Sequence, residues 1–210
     1  MGTRIASALL LISLAIPGVA LAQDGEGKTG QPYMLETAWQ ETTVGDAGVT
    51  LTMHLEREPW DVYELFTAET SGWWSRDFTM GGAGCLNMQL EAYAGGRLLE
   101  IDENGESLWA NVIQVIPGSY LGMSVPEGSF WSGAGSINVS FSPGAEGGTD
   151  FRLEHRAFQQ YDAEIDGAEG YAMGWTKLVA ENFRRYCAGE DIADAVIPAG
   201  IAPVEYEDRD

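Results

Sequence analysis

Between residues 48 and 158 the chain repeats one kind of unit, a short apolar-polar alternation closed by a turn signal. The first run, GVTLTMHLER at 48–57, sets Val49, Leu51, Met53 and Leu55 against Thr50, Thr52, His54 and Glu56. That period of two is the mark of a half-buried strand, and it puts His54 on the polar face. Further strands are predicted over 86–91, 97–102, 107–116, 120–125, 136–142 and 149–158. AYAGG, ENG, Pro117-Gly118, Pro126 with a glycine-rich loop, and PGAEGG separate them. Connections this short make hairpins, so the sheet must be antiparallel.

Two departures from the strand pattern complete the plan. After the first strand, Pro59 opens a helix whose apolar residues are Trp60, Val62, Tyr63 and Phe66. It gives out near TAETSG, before SGWWSRD at 71–77, where adjacent tryptophans cannot both be buried by one regular surface. At the other end, GYAMGWTKLVAENFRRYC (170–187) has a helical stripe. At 100° per residue Tyr171, Trp175, Leu178, Val179, Asn182 and Tyr186 share a face, opposite Lys177, Glu181 and Arg184. Cys187 falls at the edge of that face, and Gly189 is placed to end the helix. The expected fold is therefore α+β: a seven-stranded curved antiparallel sheet wrapped around a long C-terminal helix, with two short helices after the first strand. One helix cannot fill the width of such a sheet, so a cavity is expected between them.

The ends read differently. Arg4, an apolar run to Ile16, Pro17-Gly18 and Ala20-Leu21-Ala22 make residues 1–22 a secretory signal peptide cut after Ala22. Residues 23–47 are a flexible lead-in, 48–188 the domain, and 189–210 a loosely attached acidic tail. The expected location is periplasmic or secreted, with no stable membrane anchor after cleavage. Without Arg4 the chain carries 10 basic and 32 acidic residues, which excludes nucleic acid and anionic lipid surfaces as partners. GEGKT at 25–29 is not a phosphate loop, because Ala22 stands where the loop needs glycine and no strand precedes it. Cys85 and Cys187 would meet a compartment that permits a bridge, and their pairing stays open. With two histidines on opposite strand faces and no HExxH or CxxC, neither a metal nor another cofactor is indicated.

The ordered set PWDVYELFTAETSGWWSRD, AGGRLLEI, an NG turn, VIQVIPGSYLGMSV, GGTDFRLEHRAF and GYAMGWTKLVAENFRRY resembles the START-like, or SRPBCC, superfamily. The resemblance covers roughly residues 48–188, and the branch it is most similar to is named for the activator of the Hsp-90 ATPase. It implies a helix-grip fold with an apolar cavity that different members use for lipids, sterols, polyketides or plant hormones. Members include enzymes, carriers and, in the named branch, a co-chaperone.

Within that frame Trp73 and Trp74 are expected beside the cavity mouth: either one packs on the long helix and the other faces the opening or its ligand, or both are structural, one in the core and one shielding its edge. Arg76 would cap the mouth or pair with Asp77. His155 shares the inward face of its strand with Phe151 and Leu153, so it would meet a ligand, act as acid–base, or be a satisfied core residue. Asn182, central on the apolar helix face, needs a partner: ligand, backbone or water. Tyr171 and Tyr186 would add hydroxyls, and Trp175, Leu178, Val179, Phe151 and Met123 apolar wall. Glu100, Glu106 and Glu154 are expected on solvated faces. Two main readings stay open: a binding module for a small apolar or amphipathic molecule, or a cyclase- or dehydratase-like enzyme with His155 as acid–base. A third is a co-chaperone-like interaction domain.

Overall fold

A computed structural model describes residues 48–129, 134–157 and 168–198. The signal peptide, the lead-in, residues 199–210 and the side chain of Tyr171 lie outside the described part. The described strands are β1 (Gly48–Leu55), β2 (Asn87–Leu90), β3 (Arg97–Asp102), β4 (Gly105–Ile116), β5 (Tyr120–Val125), β6 (Gly135–Pro143) and β7 (Thr149–Ala157). They form a sheet ordered β1-β7-β6-β5-β4-β3-β2, every neighbouring pair antiparallel. Hairpins make each neighbour along β2 to β7, and β1 closes the order against β7. With the C-terminal helix packed on it, this curled sheet fits an α+β helix grip.

Side-chain direction follows the pleat where the ladder is regular. One row runs across five strands as Val49, His155, Ile137, Met123 and Val112, each paired with the next. All five are buried, and His155 is the polar member. A second row brings Met53, Phe151 and Phe141 together.

Between β1 and β2 run α1 (Pro59–Ala68) and α2 (Thr70–Trp73). Proline opens α1 as expected, and Val62, Tyr63 and Phe66 enter the core. Trp60 does not; it lies half-exposed over Gly118, whose positive φ of 76° and missing Cβ allow the indole to sit on the backbone.

The C-terminal helix departs from a plain α-helix. It runs as α3 (Ala168–Trp175), a π-helical stretch (Thr176–Phe183) and α4 (Arg184–Cys187), and turns off at Gly189, φ 82°, whose N–H reaches the Tyr186 carbonyl. Hydrogen bonds from i to i+5 widen each turn, so a face calculated at 100° per residue drifts. Trp175, Leu178, Val179 and Asn182 are buried as expected, but the face continues through Phe183 and Cys187. Tyr186 is rotated away toward α2. Cys85 and Cys187 are both buried and unbridged, with burial pushing each thiol up to about 12.

The acidic tail is not loose where it begins. Ile192, Ala195 and Val196 are buried, and Ala195 makes an antiparallel bridge with Ser75. Composition suggested a solvated tail, but the backbones of Asp194, Val196 and Ile197 found partners on the tryptophan turn.

Candidate functional site

The paired tryptophans are both core residues, at 0% and 1% exposure. Thr70 Oγ1 donates to the Phe66 carbonyl at 3.1 Å, tying α2 to the end of α1. Gly72 then passes beneath the ring of Tyr186, where a Cβ would sit 2.7 Å from the phenol oxygen. Helix α2 stops at Trp73, and Trp74 is extended (φ −72°, ψ 123°), which sends the consecutive rings in different directions. Trp73 stacks on Phe66 at 5.0 Å and packs on Phe183 at 5.1 Å, its Nε1 donating to the Leu65 carbonyl. Trp74 meets Trp109 of β4 edge-on at 5.3 Å and Trp175 at 6.2 Å, its Nε1 donating 2.8 Å to the Phe78 carbonyl. Each indole therefore has an apolar cage and a satisfied N–H, the form in which tryptophan tolerates burial. Both are packed as structural residues, the second of the two readings open from the sequence.

Trp74 is also the middle of a line of indoles with a polar group at each end. Trp109 Nε1 donates to Glu100 Oε2 at 3.1 Å, and Trp175 Nε1 donates to His155 Nδ1 at 3.1 Å. Glu100 was expected in solvent and is 2% exposed. Alternation puts it on the face of Leu98, turned toward Trp109, and the opposite face of β3 is covered as well, so residues 98–101 are all buried. Its carboxylate also accepts the N–H of Met80 at 2.7 Å and of Gly81 at 2.6 Å, and the missing Cβ of Gly81 lets the loop come this close. Three N–H donors offset the desolvation of the charge. Glu100 was missed, yet LLEI carried a signal: a carboxylate inside an apolar run has nowhere solvated to go.

His155 points inward as its parity required. Burial lowers its pKa to about 4, so the imidazole is neutral near pH 7. An indole N–H can only donate, so Nδ1 is the accepting nitrogen and Nε2 carries the proton. A ring in this state is a hydrogen-bond donor and a poor base.

Asn182 is fully buried on the π-helical stretch. Its Nδ2 donates to Asp194 Oδ1 at 3.3 Å, while Oδ1 has no partner among the described residues. Met123, Phe151, Trp175, Leu178 and Val179 surround the same interior, all at 2% exposure or less. The interior is thus shut from solvent at each of these side chains. Tyr186 takes no part: its hydroxyl donates to the Glu69 carboxylate, and burial together with that neighbouring charge raises its pKa. Arg76 donates to the Val196 carbonyl at 2.6 Å, holding the start of the tail. Trp109 and Phe183 were not anticipated in the aromatic interior; their partners become neighbours only once the sheet closes on the helices. No three His, Cys, Asp or Glu side chains among the described residues converge to hold a metal.

No family model matches the chain, and no curated protein does. Solved structures do. A protein from Rhodobacter sphaeroides is 18% identical with a TM-score of 0.50, over 68% of this chain and 93% of that one. A Chromobacterium violaceum protein is 14% identical with a TM-score of 0.49, over 67% of this chain and 96% of that one. Txn09, described as an anthrahydroquino-gamma-pyrone synthase, is 25% identical with a TM-score of 0.38, over 51% of this chain and 75% of its own. The likeness at TM-score 0.50 is one of fold, and it agrees with the topology of a seven-stranded antiparallel sheet with a C-terminal helix packed on it.

Proposed function

We propose that this is an exported binding protein that holds a small apolar or amphipathic molecule between the sheet and the C-terminal helix. In this reading the sheet wraps around that helix, and the Hsp-90-activator branch is the relative suggested by motif order. The observation that carries the proposal is Asn182 Oδ1: an acceptor without a partner in a wall otherwise built of indole, phenyl and aliphatic groups. An unpaired buried carbonyl costs about 1–3 kcal/mol, and a ligand hydroxyl or N–H would remove that penalty. Its place on a π-helical stretch supports the reading, since such turns often occur at functional sites. The enzyme alternative gains no similar support, because a buried His155 that is neutral near pH 7 and already accepts at Nδ1 is poorly suited to taking a proton.

Mass spectrometry of small molecules released on denaturing the gently purified mature protein tests the proposal. A stoichiometric apolar or amphipathic compound is expected. Its absence, together with no uptake from a panel of such compounds, would refute carriage. Asn182→Leu separates the roles. It should change the melting temperature little, since the unpaired acceptor is removed while Asp194, which keeps Ser75 and Lys177, loses one donor, and ligand affinity should fall about tenfold. A melting temperature that drops with affinity unaltered would make Asn182 a structural residue.

A further inference from the structure

We infer that residues 190–198 are a strap that opens and closes the seam between the tryptophan turn and the C-terminal helix, and so controls entry to the interior. The inference rests on the binding function proposed above. Three backbone bonds hold the strap to the turn: Arg76 N–H to the Asp194 carbonyl at 2.8 Å, Val196 N–H to the Trp74 carbonyl at 2.9 Å, and Ile197 N–H to the Ser71 carbonyl at 2.9 Å. Asp194 joins the two sides of the seam. Its Oδ2 accepts from Ser75 Oγ at 2.7 Å and pairs with Lys177 at 3.2 Å, while Oδ1 accepts from Asn182. One segment thus staples the turn carrying Trp74 to the stretch carrying Asn182.

The closed seam is not fully satisfied. Two side chains that bind the strap each keep a buried polar atom without a partner among the described residues: Arg76 Nε, a donor, and Asn182 Oδ1, an acceptor. Burying such atoms opposes closure, whereas opening would hydrate both. Few apolar contacts act against that bias, with Ile192, Ala195 and Val196 as the buried side chains of the strap. A short segment with few buried contacts, closing over unpaired polar atoms, belongs to the part of a fold that opens locally before the rest unfolds.

The bridge between Ser75 and Ala195 offers a reversible lock. Facing residues of an antiparallel pair lie within disulfide range, so the double variant Ser75→Cys, Ala195→Cys should crosslink the strap when oxidised. The native thiols are buried, and a pKa near 12 keeps them from competing. Oxidation is expected to slow uptake of the neutral dye 1-N-phenylnaphthylamine about tenfold or more, with dithiothreitol restoring the rate. Equal uptake by the oxidised and reduced forms would overturn the strap. In wild-type protein, hydrogen exchange should show the Val196 and Ile197 amides opening about a hundredfold or more faster than that of Leu153 in β7. Equal protection would make the segment a fixed part of the core and end the proposal. Exchange needs no ligand, so it decides the question even if no form takes up dye, a result that would count against the binding reading alone.

Discussion

Strands β5 to β7 and the seam formed by residues 70–78, 176–183 and 190–198 bury polar groups by different rules. Along β6 buried residues alternate with partly exposed ones from Gly135 to Phe141, and the ladder satisfies the backbone of each residue through its neighbours. A side chain there has its direction set by parity, so His155 is inward and Glu154 outward. In the seam no ladder does this work. Ser75 depends on Asp194, 119 positions away, and Arg76 on Val196, 120 positions away. Position along the chain decides burial in the first region; the identity of a distant partner decides it in the second.

That contrast breaks first at its most buried point. Trp74→Ala should cost about 3–5 kcal/mol, read as a shifted urea midpoint, because the indole is caged by Trp109, Trp175 and Trp73. A loss under about 1 kcal/mol would mean that the seam packs loosely and is no core at all.

The next test lies in the ladder. The unfolded chain takes up the His155 proton near pH 6.5, the folded one only near 4. Between these values the unfolded state binds more protons, so stability is full above pH 6.5 and falls as pH drops toward 4. The loss approaches about 3 kcal/mol. NMR titration of the imidazole checks the sign directly, and a midpoint near 6.5 would show that the ring reaches water.

The smallest effects sharpen the comparison between carboxylates on one sheet. Glu100→Gln should cost about 1–3 kcal/mol by thermal melting, since an amide cannot accept all three N–H donors through two carboxylate oxygens. Glu154→Gln should stay within about 0.5 kcal/mol, because its pairs with Arg152 and Arg156 lie at the surface. Equal costs would mean that the burial of Glu100 does not distinguish the two sites.

Much of the fold was legible because it rests on periodicity. Alternation, turn residues and Pro59 mark the strands, the hairpins and the start of α1, and Gly189 marks the end of the last helix. The inward set Phe151, His155, Met123, Trp175, Leu178, Val179 and Asn182 was legible for the same reason. Glu100, Phe183, Tyr186 and the docking of 190–198 were not. A strand covered on both faces hides its alternation, a π-turn rotates a helical face, and neither leaves a periodic trace of its own.

The sequence by itself determined which residues form strands and helix and which of them face inward in the regular ladder, since local sterics and the burial of apolar groups act over a few residues. Tertiary structure alone decided that both adjacent tryptophans are core, that Glu100 is held by a glycine loop, and that Asp194 ties turn to helix. Those outcomes depend on hydrogen-bond partners brought together from opposite ends of the chain, and such a partner has no local signature until the fold supplies it.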